Sequence, residues 1–276
     1  MYDRDYFKGI SELFLDRLFD VAFVRPPGNS YVNCVSSHPE RKEIDVTLAR
    51  QQHREYVSIL KEAGIEVIQL HPLEAHPDSV FMQDPALLGA SRSVVGRFGE
   101  EARRGEEKVL IAELAGQRIK VGALRFMVAP GTLEGGDVVV TDRGIFVGES
   151  RRTNVDGIKQ FRNILADQPV TGVRTELMHL LCACSFLNNG TMIMAPDLVS
   201  PDLFPGFKLV RIPEHEAYAC DALYIAGGKV LIPAGFPTAA AKLKDSGYEP
   251  VELDVSEFRK GDGGVTCLSS PIYKLF

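Results

Sequence analysis

One segment of the sequence occurs twice in nearly the same form. Residues 60–70 read LKEAGIEVIQL, and residues 243–253 read LKDSGYEPVEL. In each copy, helix-forming residues are followed by a glycine (Gly64 or Gly247) and then by a strand-like run, which is typical of a helix that ends in a glycine cap. A chain that repeats the same helix–strand unit is predicted to be built from similar units.

Four stretches between these two copies predict β-hairpins. The clearest turns are residues 142–144 and the Gly227-Gly228 pair, because glycine between two apolar runs favours a tight connection. Weaker turns are centred on residues 90–92 and 188–190. Helical segments follow several of these hairpins, so the repeated unit is predicted to be ββαβ.

A fifth unit would pair the first strand, residues 21–25, with the last segment, residues 265–273. We therefore expect one α/β domain spanning residues 1–276, with five units around an axis in a five-bladed αβ-propeller. A mixed α/β sheet is the alternative arrangement.

The composition narrows the classes of partner. The net charge of −6 argues against nucleic acid, because phosphate binding needs clustered lysine and arginine. No apolar run approaches the about 18 residues of a membrane span, and the charged first twenty residues lack the apolar centre of a signal peptide. The 5 cysteines have no disulfide-scaffold spacing. We expect a cytoplasmic protein that acts on a small molecule.

A cysteine in a glycine-rich turn is the first candidate for chemistry. Cys267 closes the segment GDGGVTC, where a thiolate would be a strong nucleophile and the glycines would allow close approach of a substrate. His179 follows an apparent strand over residues 173–178 and can exchange protons near neutral pH. Glu134 precedes two glycines and could orient an imidazole or bind a cation. Taken alone, each of these residues also fits an ordinary structural role.

Two acidic residues on either side of an aromatic ring predict a site for a flat cation. Asp78 and Asp84 could hold a guanidinium by paired hydrogen bonds while Phe81 packs on its face. Arg97 and Arg152 could bind a substrate carboxylate through two parallel hydrogen bonds. The alternative is a loop leading into a strand, with two surface arginines.

Together these segments resemble the dimethylarginine dimethylaminohydrolase family, within the guanidine-modifying superfamily that includes amidinotransferases and arginine deiminases. The resemblance runs from about residue 24 to residue 274. It includes residues 43–46, 50–56, 77–81, 133–138 and 146–154, together with His179 and residues 262–267. It implies the five-bladed α/β fold called pentein.

The resemblance also implies a reaction. Cys267 would attack the guanidinium carbon of N-methylated L-arginine and form a covalent intermediate. His179, oriented by Glu134, would protonate the departing methylamine or dimethylamine and then activate water, so that citrulline leaves. The implied substrate-binding residues are Asp78, Phe81, Gln83, Asp84, Arg97, Arg152 and the backbone of Gly261. Neither a metal nor an organic cofactor is expected, and a homodimer is compatible with the family.

Two departures from the family pattern keep other substrates open. Gln83 stands where the family usually has a glutamate beside its second aspartate, and apolar residues 180–181 follow His179 where relatives often have a polar residue. An arginine deiminase-like enzyme or a citrulline hydrolase is therefore an alternative. A third hypothesis is a non-enzymatic propeller that binds a small cationic ligand or a partner protein.

Residues 26–37, rich in glycine, asparagine and serine, are expected to form a mobile cover over the site.

Overall fold

The computed structural model describes residues 16–117 and 120–276. Most of the charged N-terminal segment used in the signal-peptide argument, and the start of the predicted domain, lie outside this range. None of the helices in the described ranges is both long enough and apolar enough to cross a bilayer.

Strands and short helices alternate along the described chain. The strands are β1 (Phe19–Val24), β2 (Glu66–Gln69), β3 (Ala86–Gly89), β4 (Arg92–Val95), β5 (Ala123–Phe126), β6 (Val138–Thr141), β7 (Gly144–Glu149), β8 (Val170–Arg174), β9 (Cys184–Phe186), β10 (Thr191–Met194), β11 (Lys208–Arg211), β12 (Leu223–Ala226), β13 (Lys229–Pro233), β14 (Glu249–Leu253) and β15 (Ser269–Tyr273). The α-helices are α1 (Val46–Glu62), α2 (Glu106–Ala115), α3 (Val155–Ile164), α4 (Pro237–Asp245) and α5 (Ser256–Arg259).

These strands form one six-stranded sheet and three three-stranded sheets. The six-stranded sheet has the order β2-β1-β15-β3-β4-β5, and the others are β6-β7-β8, β9-β10-β11 and β12-β13-β14. In each three-stranded sheet an antiparallel hairpin is followed by a parallel strand. The halves of the six-stranded sheet repeat this pairing, since β15-β1 and β3-β4 are antiparallel whereas β1-β2 and β4-β5 are parallel. None of the sheets built from the described strands closes on itself.

The four predicted hairpins are confirmed, and three of their turns contain glycine in a conformation that glycine favours. Gly144 has a φ of 128°, and Gly227 and Gly228 have φ values of 58° and 81°. The repeated helix caps are confirmed as well, because Gly64 and Gly247 have φ values of 74° and 89°. At such positive φ a Cβ would clash with the backbone, so only glycine closes these turns without strain.

One predicted strand is shorter than expected. The run over residues 173–178 was expected to be extended up to His179, but β8 ends at Arg174. The Thr175 hydroxyl accepts a hydrogen bond from the Leu177 amide at 3.2 Å, a local turn that competes with the sheet ladder. His179 is therefore reached through a turn and does not directly continue the strand.

The core consists of several apolar clusters, formed where helices pack on their own sheets. In one cluster Phe161 of α3 packs with Val138 and Val147 of the adjacent sheet. In another, Leu243 of α4 packs with Val230 and Ile232. Each helix buries one face against its own sheet, which holds that sheet in place. The turn that precedes the first strand of each sheet is not needed for this packing and can carry polar side chains.

Candidate active site

A narrow cavity gathers polar side chains from distant parts of the chain. Its lining residues are Val35, Asp78, Phe81, Asp84, Arg103, Arg152, Met178, His179, Gly261, Asp262, Gly263 and Cys267. Most of them lie in irregular segments beside strand ends. His179 and Cys267, for example, come just before β9 and β15.

A buried carboxylate holds the imidazole of His179. Glu134 Oε2 lies 2.9 Å from His179 Nε2. The other carboxylate oxygen, Oε1, accepts hydrogen bonds from the amides of Gly99 and Glu100 at 2.9 and 3.2 Å, so the glutamate cannot turn away. Burial disfavours charge on His179, but the carboxylates of Asp84 and Glu134 outweigh it and raise its pKa to about 9. The imidazole is therefore protonated at neutral pH.

The backbone approaches His179 closely at one glycine. A Cβ at Gly136 would lie 2.5 Å from His179 Nδ1. Asp137 Oδ1 accepts a hydrogen bond from the Leu180 amide at 3.0 Å, which fixes the residue that follows the histidine. The Glu134-Gly135-Gly136-Asp137 segment thus fixes His179 from both sides.

Asp84 belongs to a buried ion-pair network that the sequence did not reveal. Arg103 Nη1 lies 2.6 Å from Asp84 Oδ2, and its Nη2 lies 2.9 Å from Glu106 Oε2. The guanidinium also stacks over the ring of Phe98, 4.6 Å from the centroid. Burial opposes charge on Asp84, but His179 and Arg103 outweigh it and lower its pKa. Arg103 stands in a charged stretch whose pattern is also typical of a solvent-exposed turn, so no clear sequence signal marked it.

The carboxylates of Asp84 and Glu134, together with His179, lie close enough to one another to hold a cation. Ligand atoms of Asp84, Glu134 and His179 are all within 4.8 Å of one another. Both carboxylates already accept hydrogen bonds from protein donors, and the protonated His179 supplies the positive charge between them. We interpret the cluster as a proton-carrying ion-pair network.

Asp78 connects the cavity to the predicted cover. Both of its carboxylate oxygens accept a hydrogen bond from the Val35 amide at 3.1 Å, and burial raises its pKa. Asp262 likewise accepts hydrogen bonds from the amide and hydroxyl of Ser37 at 2.6 and 3.0 Å. Residues 26–37 are thus fastened over the cavity at two points.

Cys267 lies at the end of the cavity formed by the glycine-rich turn. Its carbonyl accepts a hydrogen bond from the Gln83 amide at 3.3 Å, and its thiol lies 3.8 Å from Asp221 Oδ2. Burial is the largest cause that raises the pKa of the thiol well above its usual range, and the negative charges of Asp221 and Asp84 raise it further. A Cβ at Gly263 would lie 2.2 Å from the ring of Phe81, so the turn needs glycine there to approach the aromatic residue.

The cavity lining includes most of the residues that the sequence singled out, but three are not part of it. Glu134 is fully buried and reaches the cavity only through its contact with His179. Gln83 lines a separate cavity with Thr266 and Tyr273, because it is adjacent in sequence to Asp84 and points the other way. Arg97 lines a groove with Arg104 and Phe126, and its Nη1 donates to the Gly131 carbonyl at 3.4 Å. These placements correct the expected positions of Gln83 and Arg97. Arg103 lies in the cavity where Arg97 was expected.

Comparison with known proteins identifies the family of this chain. A family model described as "N,N dimethylarginine dimethylhydrolase, eukaryotic" matches residues 28–179. The N(G),N(G)-dimethylarginine dimethylaminohydrolase of Pseudomonas aeruginosa is 35% identical to this chain over 255 residues, which cover 91% of this chain and 99% of the relative. The chain belongs to the dimethylarginine dimethylaminohydrolase family. The Streptomyces coelicolor enzyme of the same name is also 35% identical and covers 92% of this chain and 98% of the relative.

Solved structures with the same fold include a member of this family. A cysteine-to-serine mutant of the Pseudomonas aeruginosa enzyme in complex with citrulline superposes with a TM-score of 0.86 and 34% identity, covering 93% of this chain and 100% of that one. The N-terminal domain of ArgZ, an arginine dihydrolase of cyanobacteria, superposes with a TM-score of 0.82 at 21% identity over 92% and 98% of the two chains, which is a likeness of fold. As a member of the dimethylarginine dimethylaminohydrolase family, this chain has the α/β pentein-type fold. The chain is a hydrolase of C–N bonds in linear amidines.

Proposed function

We propose that this enzyme hydrolyses N-methylated L-arginine to L-citrulline and methylamine or dimethylamine through a covalent intermediate on Cys267. The observation that carries the proposal is the Glu134–His179 contact of 2.9 Å in the same cavity as the thiol and two buried aspartates. A proton donor, a nucleophile and anionic groups for a cation are then all within one enclosure.

The proposed reaction uses each group in turn. Asp78 and Asp84 hold the guanidinium, with Phe81 beside it, so that its carbon faces the Cys267 sulfur. Sulfur forms a bond to that carbon, and His179, which carries a proton at neutral pH, gives it to the departing amine as the C–N bond breaks. His179 then removes a proton from water, and the hydroxide adds to the same carbon. The C–S bond breaks as the added hydroxyl loses its proton, which releases citrulline.

The amino-acid end of the substrate is assigned to two arginines. Arg152 Nη1 is buried, has no hydrogen-bond partner and lines the cavity, so it has a donor available for a carboxylate. Arg103 lines the same cavity, and it takes the role that the sequence gave to Arg97. Gly261 offers backbone to the α-amino group, as the resemblance implied.

The position of Gln83 means that its replacement of a family glutamate does not argue against a cationic substrate. The amide replaces a family glutamate, but it lies outside the cavity, whose lining keeps Asp78 and Asp84. The negative charge available to a guanidinium is therefore retained.

The assay that tests this function compares asymmetric dimethylarginine, monomethylarginine, arginine and citrulline as substrates. Release of dimethylamine and methylamine with citrulline formation is expected, with Cys267→Ser inactive. Ammonia from arginine as the dominant product would indicate a deiminase, and no turnover of any of the four would exclude the proposal. Mass spectrometry of enzyme trapped during turnover should find the adduct on Cys267.

We also propose that the five ββαβ units form a five-bladed propeller within a single domain of residues 1–276, and that the enzyme acts in the cytoplasm. The repeated hairpin-plus-parallel-strand pairing supports the five units. One cooperative unfolding transition is expected, whereas two separable transitions would contradict a single domain.

A homodimer is proposed from the family resemblance alone, and light scattering of the purified protein tests it.

A further inference from the structure

The proposed reaction leaves the proton of the Cys267 thiol without an acceptor. Burial and the nearby carboxylates keep the pKa of this thiol well above its usual range, so the resting group is a thiol. His179 cannot accept its proton at neutral pH, because an imidazolium has no free nitrogen lone pair and the pKa of His179 is about 9. Another group must take the proton when sulfur attacks.

The repeated architecture indicates where to look. The segment just ahead of the first strand of each unit supplies a polar side chain: Asp84 before β3, Glu134 before β6, His179 before β9, Asp221 before β12 and Cys267 before β15. Four of these residues already have roles in the proposed function. Asp221 holds the equivalent position in the remaining unit and has none.

Asp221 contacts the sulfur and is fixed by the backbone. The Cys267 thiol donates to its Oδ2 at 3.8 Å, and the Thr266 amide donates to its Oδ1 at 2.8 Å. A Cβ at Gly264 would lie 2.3 Å from Oδ2, so glycine makes room for the carboxylate beside the thiol. The aspartate is 4% exposed.

The surroundings of Asp221 suit a proton acceptor. The titratable groups that interact with it electrostatically are His179, Cys267, Cys182, Cys220, Tyr56 and Tyr218. Among these, His179 is the cation. Burial raises the pKa of Asp221 to about 6, even though the Thr266 amide favours its charged form. Asp221 is thus a carboxylate at neutral pH with a pKa close to the working range, as general-base catalysis requires.

We propose that Asp221 is the catalytic base that accepts the thiol proton of Cys267. As the sulfur electron pair forms the C–S bond, the S–H proton moves to Asp221 Oδ2. His179 gives a separate proton to the leaving amine. When citrulline is released, the C–S bonding pair returns to sulfur, which recovers its proton from the Asp221 carboxylic acid, and His179 keeps the proton taken from water. The hydroxyl proton of the adduct is released as the citrulline carbonyl forms, and it converts the departed amine to its ammonium ion. The cycle is then balanced in protons and needs no further reactant.

The inference rests on Cys267 being the nucleophile of the proposed function, but it can be tested without the substrate. Iodoacetamide alkylates a thiol directly, and the rate at Cys267 can be followed by peptide mass spectrometry. If Asp221 is a base, Asp221→Asn slows alkylation at neutral pH at least about tenfold. If Asp221 is only a fixed anion that disfavours the thiolate, the same variant accelerates alkylation, because the opposing charge is gone. An equal or faster rate overturns the proposal.

A matched control is Asp142→Asn, which should alkylate like the wild type. Asp142 is a partly buried aspartate whose pKa, like that of Asp221, is raised by burial. It accepts a hydrogen bond from the Gly190 amide at 2.8 Å and lies outside the cavity. Should Asp221→Asn fail to fold, the wild-type pH profile decides. A rate that rises through about pH 6 and then levels supports the base, whereas a rate that keeps rising past neutral pH contradicts it.

Chemical rescue gives a second readout that a structural role would not change. A neighbouring cavity of about 360 Å³ is lined by Asp221, Cys182, Tyr218 and Arg259 and has room for a small carboxylic acid. Formate should accelerate alkylation of Asp221→Ala, but not of Asp142→Ala, and absence of rescue counts against the base.

Turnover separates the two hypotheses. If no amidine is hydrolysed by the wild type but Cys267 alkylation depends on residue 221, the proposed function fails and the base assignment stands. If methylarginine is hydrolysed equally well by Asp221→Asn, only the base assignment fails.

Discussion

In the proposed reaction, departure of the amine depends on a histidine that keeps its proton at neutral pH. The pKa of His179 is raised from 6.5 to about 9 in the folded protein. Its carboxylate contacts therefore stabilise the fold fully below pH 6.5, and this contribution is lost as the pH rises through about 9. We expect activity to fall along an alkaline limb in the same range.

The first prediction concerns Glu134→Gln. The amide keeps a hydrogen-bonding oxygen but removes a charge that holds the proton on His179, so the alkaline limb of kcat/KM should move to lower pH, with activity reduced about 10²-fold. The measurement is kcat/KM over roughly pH 6 to 10. Glu101→Gln, at an exposed ion pair with Arg104, is the matched control and should leave the limb in place. An unchanged limb in Glu134→Gln would contradict the assigned contact.

The second prediction compares two arginines. Arg103→Ala leaves Asp84 and Glu106 buried without their cation, so we expect a loss of about 3–5 kcal/mol in the free energy of unfolding and a raised KM. Arg97→Ala should change either quantity little, because its side chain lies outside the cavity. Urea denaturation and steady-state kinetics measure both effects. A larger rise in KM for Arg97→Ala than for Arg103→Ala would restore the arrangement expected from sequence.

At the scale of elements, the cover over the cavity is a short 3-10 helix, Asn29–Asn33, held by side chains from other segments. Glu74 accepts hydrogen bonds from the amides of Asn29 and Ser30, both at 2.8 Å. These bonds lower the pKa of Glu74, so the stabilisation they give is present above its ordinary value of 4.5 and is lost as the pH falls below it.

The third prediction follows from these bonds. Glu74→Ala should speed hydrogen exchange at the Asn29 and Ser30 amides and raise KM a few-fold, with the exchange of α1 amides unchanged. Hydrogen-exchange mass spectrometry of a peptide covering residues 26–37 measures it. Glu62→Ala, on the exposed end of α1, serves as the control. Exchange at wild-type rates in Glu74→Ala would mean that Asp78 and Asp262 hold the cover alone.

Local elements were predictable from sequence because their causes are local. Gly64, Gly144 and Gly247 carry the required positive φ in their own residue type, so the turns could be placed without tertiary information. The end of strand β8 was predicted too late in the sequence, because the side chain of Thr175 accepts a backbone hydrogen bond that an apolar pattern does not reveal.

The site was less predictable because its contacts join distant residues. The family pattern identified Cys267, His179 and Glu134 as a set. It did not reveal that Arg103, rather than Arg97, reaches the cavity, since this depends on how the loop after β4 turns. Asp221 was missed because it carries no motif, and only the packing of β12 beside the last turn brings it to the thiol.

At the scale of the whole molecule, the six-stranded sheet depends on a strand from the far end of the sequence. Strand β15 lies between β1, to which it is antiparallel, and β3, to which it is parallel. Phe276, just beyond it, is 2% exposed and packs in the same cluster as Val138 and Phe161. Its carbonyl accepts a hydrogen bond from the Ser91 amide at 2.9 Å.

The fourth prediction tests this closure. Phe276→Ala should lower the free energy of unfolding by about 3–5 kcal/mol, because a buried aromatic side chain is lost from a packed cluster. Val128→Ala, at a position 60% exposed, should change it by less than about 0.5 kcal/mol. Chemical denaturation followed by circular dichroism compares the two. Equal effects would show that the segment after β15 contributes little to the fold.

The insertion of β15 between β1 and β3 has a consequence for protein synthesis. The ribosome makes β1 early and β15 tens of seconds later, at ~5–20 residues per second. Until residues 269–273 leave the ribosome, the strand that joins β1 to β3 is missing from the largest sheet. Under the proposed function, activity therefore requires that β15 has been inserted into the sheet, because Cys267 lies directly ahead of that strand.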